Sequence, residues 1–290
     1  MTDASVFEPK LVRITEHVYW MPPGLPDKPS LCAVVGSQGT LMLEAGASSS
    51  HARMFLDALR DANIAPPRYV ALTHWHWDHV FGAAEVGVPV IAHTLTAREL
   101  ATLSTYEWDD ASLDQRVDSG EEIAFCADNI KLELPEPRTV VIRRPEIVFR
   151  HGLEIQLGDV NCTFHHVGGD HAADSCVIHI EPDGVLFLGD CLYQAVYAPQ
   201  QYYTVQRLFP LLDRILAFDA QHYIEGHSDT PLTHAGLEAM AAQMRSAWAL
   251  ASRAGLAEAT ALEAVGQSGT PVDEDLEFYI KAFVAGRDVL

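Results

Sequence analysis

The residues best suited to chemistry lie in one short stretch, His74-Trp75-His76-Trp77-Asp78-His79. Three imidazoles and one carboxylate within six residues would make a poor core, because each needs a polar partner once it is buried. Neutral imidazole nitrogen and carboxylate oxygen are favoured zinc ligands. On a loop that leaves a strand, the first two histidines can converge on one ion while Asp78 and His79 reach a neighbouring ion. The stretch therefore predicts a metal site.

The elements that must position this stretch occur twice along the chain. Each half has a strand hairpin, an acid at the end of the second strand, a helix, and a further strand that ends in a histidine. In the first half these are strands 31–35 and 40–43, Glu44, a helix over 50–62 after a run of three serines, strand 69–72 and His74. In the second half they are strands 176–180 and 185–188, Asp190, a helix over 205–217, strand 222–224 and His227.

This repetition favours a duplicated half-sheet. Two such half-sheets would pack face to face with helices outside, as an α/β sandwich. Both acids and both terminal histidines would then lie at one edge, where the strands end and where α/β proteins commonly place their sites. We expect the metal site on the seam between the halves.

The remaining segments are less regular in sequence. Residues 105–150 are acidic and then mixed, with three interrupting prolines, and predict an irregular connection with short strands. Residues 21–26 contain three prolines and predict a loop that could overhang the site. Residues after Pro231 are rich in alanine and leucine and predict two or three helices. We expect a catalytic domain over 1–230 and a helical extension over 231–290 packed on it.

Charge narrows the class of partner. The chain has 290 residues, of which 19 are Lys or Arg and 40 are Asp or Glu, giving a net charge of -21. Nucleic-acid binding normally needs clustered basic residues, and an anionic membrane surface attracts basic proteins. The composition therefore predicts a small-molecule substrate that is neutral or modestly charged, with no nucleic acid and no membrane. A homodimer stays open.

The cysteines and the N-terminus bear on location. Five cysteines occur without a C-x-x-C spacing, which favours reduced, buried thiols over a disulfide framework. The first residues have neither a basic region nor an apolar run, and no stretch is apolar for the roughly 18 residues that a membrane span needs. A cytoplasmic protein is expected.

The pattern H-x-H-x-D-H after an apolar strand resembles the signature of the metallo-β-lactamase-fold hydrolases. Later landmarks of that family have counterparts in order: Gly169-Asp170-His171 in a glycine-rich turn, Gly189-Asp190 at a strand end, and Gly226-His227. The resemblance covers about residues 11 to 230. It implies a four-layer αββα sandwich, with the C-terminal helices as a variable addition.

The resemblance also implies two metal ions, zinc by expectation, with manganese or iron as further options. His74, His76 and His171 would hold the first ion. Asp78, His79 and His227 would hold the second, and Asp190 would bridge both. In that family an aspartate at the position of Glu44 supports the ligand histidines. The side chain of Glu44 is one methylene longer than that of aspartate. Tyr193 stands where lactonases of the family use a tyrosine to contact substrate.

Three residues depart from the family pattern or vary within it, namely Asp170, Ala172 and Asp174 around His171. The other histidines, His93, His165, His166 and His179, are expected to be structural, Trp75 and Trp77 to pack at the rim, and Cys191 to be a buried thiol.

The expected reaction is hydrolysis of a small carbonyl substrate: an ester, lactone, thioester or lactam. A hydroxide bridging the two metals would attack the carbonyl, Asp78 would assist the leaving group, and Tyr193 would stabilise the oxyanion. Two alternatives are kept. One is a small-molecule phosphodiesterase of the same fold. The other is an iron-dependent oxidoreductase of the persulfide dioxygenase type, which needs only two histidines and an aspartate.

Overall fold

Two mixed β-sheets form the centre of the structure, a computed structural model that describes residues 10–253, 255 and 273–289. The first sheet contains, in spatial order, β1 Val12–Arg13, β2 Val18–Met21, β3 Leu31–Gly36, β4 Gly39–Leu43, β5 Pro67–Ala71, β6 Val90–His93 and β7 Ile147–Phe149. The second has the spatial order β13, β12, β11, β10, β9, β8. Its strands are β8 Gly152–Gln156, β9 Asn161–His166, β10 Cys176–Glu181, β11 Val185–Gly189, β12 His222–Glu225 and β13 Leu232–Thr233.

Helices lie outside the sheets and in the connections. They are α1 Ser49–Asp61, α2 Trp77–Val80, α3 Ala83–Val86, α4 Thr94–Leu103, α5 Asp110–Ser119, α6 Ala124–Glu133, α7 Val205–Leu216, α8 His234–Arg253 and α9 Glu274–Ala285, followed by a 3₁₀ helix at Gly286–Asp288. α1 begins as the serine run predicts, because the Ser48 hydroxyl accepts a hydrogen bond from the backbone N–H of His51.

Three apolar layers hold the sheets and helices together. The layer between the sheets buries Leu41 from the first sheet and Phe187 from the second. A second layer buries Phe55 of α1 against the outer face of the first sheet. A third buries Leu212 of α7 and Phe283 of α9 against the outer face of the second. The predicted αββα sandwich is confirmed, and β4 and β11 are continuous apolar runs because both of their faces are covered.

The two halves repeat the same local topology. In each, an antiparallel hairpin is followed by a parallel strand: β4 pairs with β5, and β11 pairs with β12. Parallel neighbours end at the same edge of a sheet. The residues that follow β4, β5, β11 and β12 therefore meet at one end of the sandwich, as expected.

The prediction for residues 105–150 was wrong in part. The segment contains the helices α5 and α6 before its irregular stretch and β7. Asp109 caps α5 by accepting hydrogen bonds from the backbone N–H and the hydroxyl of Ser112. Leu113 and Ile130 anchor the two helices in the apolar layer. All three prolines lie after α6, so the first part of the segment is free to be helical.

The C-terminal helices share the outer layer of the second sheet. Leu237 of α8 and Ile280 of α9 are buried with Tyr223 of β12. Residues 256–272 lie outside the described residues, and the boundary proposed near residue 230 stays a prediction. Within the described part, no helix is long and apolar enough to cross a membrane.

Candidate metal centre

Seven side chains meet at the end of the sandwich where the parallel strands finish. His74 and His76 follow β5, Asp78 and His79 lie in α2, His171 lies between β9 and β10, and Asp190 and His227 follow β11 and β12. Glycine is required beside two of them. A Cβ on Gly226 would lie 2.0 Å from Asp190 Oδ1, and Gly189 has a φ of 53° with Thr73 Oγ1 against it.

The first group consists of His74, His76 and His171, whose ligand atoms lie within 4.8 Å of one another. Ring centroids are separated by 4.5 Å for His74–His76 and for His76–His171. The Nε2 atom of each of the three rings is buried and has no hydrogen-bond partner in the described part of the chain. The three converging nitrogens can therefore coordinate one cation.

The second group consists of Asp78, His79, Asp190 and His227. Asp78 Oδ2 lies 3.0 Å from His79 Nε2 and 3.1 Å from His227 Nε2. Asp190 Oδ2 lies 3.3 Å from His79 Nε2 and 3.4 Å from His227 Nε2. The same oxygen lies 3.4 Å from His171 Nε2, so Asp190 stands between the two groups.

These spacings fit metal coordination. Two ligand atoms that each lie about 2.0 Å from a tetrahedral ion are roughly 3.3 Å apart. The buried Asp190 Oδ1 and His79 Nε2 also lack hydrogen-bond partners within the described residues, although buried polar atoms are normally satisfied. The donor set of nitrogens and carboxylate oxygens suits zinc, manganese or ferrous iron.

Electrostatics differ between the two groups. Burial, together with the neighbouring histidines, lowers the pKa of His74 and His76 well below the ordinary value, so both rings are neutral and their free nitrogens can bind a metal. In the second group burial also opposes protonation, but Asp190 and Asp78 outweigh it and raise the pKa of His227 to about 10. The carboxylates there stabilise positive charge in the place that a divalent ion would occupy.

Glu44 lies behind the cluster and is fully buried. Its carboxylate accepts hydrogen bonds from the backbone N–H and the hydroxyl of Thr73, the residue before His74. Glu44 Oε1 lies 3.5 Å from His79 Nδ1. The residue has a φ of 63°, a strained conformation for a non-glycine residue. Glu44 thus contacts two of the residues that position the cluster.

Tyr193 lies on the cavity side of the cluster. Its hydroxyl accepts a hydrogen bond from the backbone N–H of His227 at 3.2 Å. Its ring centroid lies 6.0 Å from that of His171 and 6.2 Å from that of His227. The hydroxyl proton of Tyr193 has no acceptor among the described residues, so it can be donated into the cavity.

A cavity of about 660 Å³ opens above the cluster. Three acids that the sequence analysis did not select line it: Asp27, Glu225 and Asp275. Asp27 directly follows the proline-rich segment 21–26 that was expected to overhang the site, and its Oδ1 lies 3.7 Å from His227 Nδ1. Glu225 directly precedes Gly226 at the end of β12, so its place beside His227 was the available signal. Burial raises the pKa of Glu225 to about 7.

The residues that the sequence predicted to be structural lie outside the metal-ligand cluster. His93 and His166 stack 4.1 Å apart and contact the backbone carbonyl oxygens of Arg150 and Ala173. Trp77 is buried in the core, and Trp75 contacts His76 at the rim with a ring separation of 4.7 Å. Cys191 is a buried free thiol, as expected, and Asp170 accepts hydrogen bonds from Thr204. Burial raises the pKa of Asp174 to about 7.

Comparison with known proteins assigns the family. A sequence profile described as the metallo-beta-lactamase superfamily matches residues 25–214. The chain belongs to the metallo-β-lactamase superfamily. A comparison with curated protein sequences finds no significant match.

Solved structures of this superfamily's fold resemble the chain at low identity. A stereoselective inverting sec-alkylsulfatase from Pseudomonas sp. has a TM-score of 0.66 and 15% identity, covering 97% of this chain and 50% of the sulfatase. A metallo-β-lactamase family protein from Thermus thermophilus has a TM-score of 0.58 and 20% identity, covering 81% and 82%. A metallo-β-lactamase from Pontibacter korlensis has a TM-score of 0.56 and 18% identity, covering 81% and 97%. The chain thus spans half the length of the sulfatase, and these likenesses concern the fold.

Superfamily membership and the side-chain cluster agree. The metallo-β-lactamase fold implies a divalent metal, and the histidines and aspartates at the sheet ends can hold one. Together they support a metal-dependent hydrolase.

Proposed function

We propose that the protein is a binuclear, zinc-dependent hydrolase that cleaves a small carbonyl substrate, namely an ester, thioester, lactone or lactam. His74, His76 and His171 would hold one ion, and Asp78, His79 and His227 the other. Asp190 would bridge them.

One observation carries this proposal. Two groups of metal-ligating atoms lie side by side, and one oxygen of Asp190 lies within 3.4 Å of nitrogens from both. A structural metal site is usually closed by its protein ligands, whereas a catalytic site stays open to substrate. His76, Asp78 and His171 line the cavity, so this cluster is open.

The residues of the chain then have distinct roles. Metal ions bound here would supply Lewis acidity and make water a nucleophile at neutral pH. Asp78 lines the same space and is ionised, so it would accept a proton from the attacking water and pass it to the leaving atom. The Tyr193 hydroxyl donates a hydrogen bond to the oxygen on which negative charge develops. Burial raises the pKa of the Cys126 and Cys191 thiols, so neither serves as a thiolate nucleophile.

The cavity favours carbonyl chemistry over phosphodiester or sulfate-ester cleavage. No Lys or Arg occurs among the described residues that line it. Arg and Lys are common partners of anionic phosphoryl groups, and beyond the metal ligands the described lining of this cavity offers none of them. The likeness to the alkylsulfatase therefore concerns the architecture, and we do not propose sulfate-ester cleavage for this cavity.

Metal analysis and a substrate panel test the proposal. We expect two zinc ions per chain, and Asp190→Ala should lower occupancy of the pair more than Asp78→Ala, because Asp190 contacts both groups. The panel contains esters, thioesters, lactones, β-lactams and bis-phosphodiesters with zinc or manganese added. Fastest turnover of a phosphodiester would reject the carbonyl assignment. One iron per chain with oxygen uptake would reject hydrolysis.

A further inference from the structure

One part of the cavity is lined by aromatic rings around a carboxylate, and we call it the aromatic end: Glu225, Tyr193, Tyr203, Phe278 and Tyr279. The ring of Tyr203 lies 6.2 Å from that of Tyr279 and 6.4 Å from that of Phe278. Glu225 and the rings of Tyr193, Tyr203 and Tyr279 line the same cavity. The carboxylate and the rings therefore form one neighbourhood.

Glu225 is the unusual member of this neighbourhood. It is only 8% exposed, and its carboxylate accepts no hydrogen bond from any described residue. By contrast, Glu44 binds Thr73 and Asp170 binds Thr204. Asp174 also lacks a hydrogen-bond partner among the described residues, but it does not line the cavity. A buried carboxylate without a partner is costly, and such groups are normally paired with a cation or a donor. Because Glu225 lines the cavity, a ligand can supply that partner.

No lysine or arginine among the described residues supplies a cation there. The lining contains no Lys or Arg within the described residues, and residues 1–9, 254, 256–272 and 290 contain none in sequence. Two further acids, Asp27 and Asp275, line the same cavity. An anionic substituent on the substrate would meet only acids beyond the metal-ligand cluster, whereas a cationic one would be attracted.

We propose that the substrate of this enzyme carries an alkylammonium group, a protonated amine or a quaternary amine, that binds at the aromatic end while its scissile bond lies over the metal-ligand cluster. This inference rests on the proposed hydrolase function. Glu225 would neutralise the ammonium charge, and the tyrosine rings would cover its alkyl substituents. Aromatic faces attract ammonium ions strongly when water is excluded. The carboxylate and the rings together favour an ammonium ion over a metal cation, because a metal cation binds oxygen ligands and would gain little from the rings.

Binding of an isosteric pair tests the inference without catalysis. The probes are choline and its neutral carbon isostere, 3,3-dimethylbutan-1-ol, titrated into the metal-loaded protein and followed by NMR. We expect choline to bind about tenfold or more tightly than the isostere, the range of a desolvated cation–π contact with a charge partner. Glu225→Gln should remove most of that preference. Tyr279→Leu, on α9 and away from the metal-ligand strands, should weaken choline binding with metal content unchanged.

Matched controls separate local from general charge effects. Glu154→Gln removes the same charge from an exposed position on β8, outside the cavity, and should keep the choline preference of the parent. The catalytic arm compares kcat/KM for a choline ester and for the 3,3-dimethylbutyl ester of the same acid. The ratio should favour the choline ester in the parent and fall by about tenfold in Glu225→Gln.

Several results would overturn the inference. They are equal binding of the two probes by the parent, an unchanged preference in Glu225→Gln and Tyr279→Leu, or displacement of choline by Ca²⁺ or Mg²⁺ at equal concentration, which would indicate an inorganic cation site. Its failure is distinguishable from that of the hydrolase proposal. Turnover of neutral esters without a choline preference rejects this inference alone. Selective choline binding without hydrolysis of any panel substrate rejects the hydrolase alone.

Discussion

The two ends of the β sandwich treat buried polar groups in opposite ways. At the end where β5 and β12 finish, the Nε2 atoms of His74, His76 and His171 have no hydrogen-bond partners within the described residues. At the end formed by the turns between β1 and β2 and between β10 and β11, Asp183 is satisfied by several donors. It accepts hydrogen bonds from the hydroxyl of Thr15, from the backbone N–H of His17 at 2.9 Å and from His17 Nδ1 at 2.7 Å.

The difference separates function from stability. Asp183 joins the two sheets across the sandwich with groups that the chain itself provides. The histidine cluster also lies across the two sheets, but its groups need an added partner to complete them. Polar residues that hydrogen-bond to one another stabilise the fold. Polar residues that converge without such partners indicate a ligand site.

The largest effect is expected from a comparison of substitutions at the two ends of one strand. β12 begins at His222 and is followed by His227. His227→Ala should lose metal and nearly all hydrolysis, more than the roughly 10- to 100-fold losses typical of residues behind the ligands. It should also lose the stabilisation that metal adds to the folded state. His222→Ala, at the opposite end, is the control and should retain both. Metal content by mass spectrometry and the thermal unfolding midpoint with and without zinc measure this. Two bound metals in His227→Ala would contradict it.

A second prediction concerns Tyr193, whose hydroxyl proton is free to point into the cavity. Tyr193→Phe should lower kcat by about 10², the lower end for loss of one oxyanion donor, because metal polarisation remains. Metal content should not change. The matched control is Tyr197→Phe: the Tyr197 ring lies 5.3 Å from that of His76, but its hydroxyl donates to Cys126. Parental kcat in Tyr193→Phe on the best panel substrate would leave Tyr193 with only its contact to the backbone of His227.

A third prediction concerns Glu44, an acid with hydrogen-bond partners at the same end of the sandwich as the metal-ligand cluster. Glu44→Asp should relieve the backbone, because aspartate tolerates the left-handed conformation better than glutamate does. The shorter side chain should lose its approach to His79 while it still reaches towards Thr73. We expect stability without metal to be retained and zinc affinity to fall by roughly tenfold. Competition with a zinc chelator measures the affinity. Unchanged affinity would show that the approach of Glu44 to His79 is incidental.

The smallest effect is expected at the end of the sandwich that contains Asp183, and it concerns stability alone. Asp183→Asn should lower the free energy of unfolding by about 1–3 kcal/mol at neutral pH, the range for hydrogen bonds to a buried charged group. Hydrolysis and metal content should not change.

The pH dependence of that difference follows from the pKa of Asp183. Burial opposes ionisation, but the hydrogen bonds from Thr15 and His17 outweigh it and lower the pKa below its ordinary value. The carboxylate therefore stabilises the fold above its unfolded pKa near 4, and the contribution is lost as pH falls through the lower folded value. Urea unfolding of parent and variant, both without metal, should show a gap that is full at pH 7 and shrinks below about pH 4. A constant gap would reject the charged role of Asp183.

Much of the fold was predictable because its signals are local. The hairpins, the Ser48 cap and the strand before His74 follow from apolar runs, turns and capping residues within a few positions. The same reasoning missed α5 and α6, since the prolines and charges of the segment dominated its composition while Leu113 and Ile130 gave only a weak apolar face. Burial against the first sheet decided that those residues are helical.

The candidate metal ligands and their order after the strands could be predicted from the sequence, because residue type and spacing are properties of the chain. Tertiary packing was needed to place Asp190 between two groups of histidines, to bring Asp27 towards His227 and to bury Glu225 without a partner among the described residues. Asp27 and His227 are 200 positions apart in sequence. Their distance is set by how the two sheets pack, through apolar contacts that have no direction of their own and no signature in the local sequence.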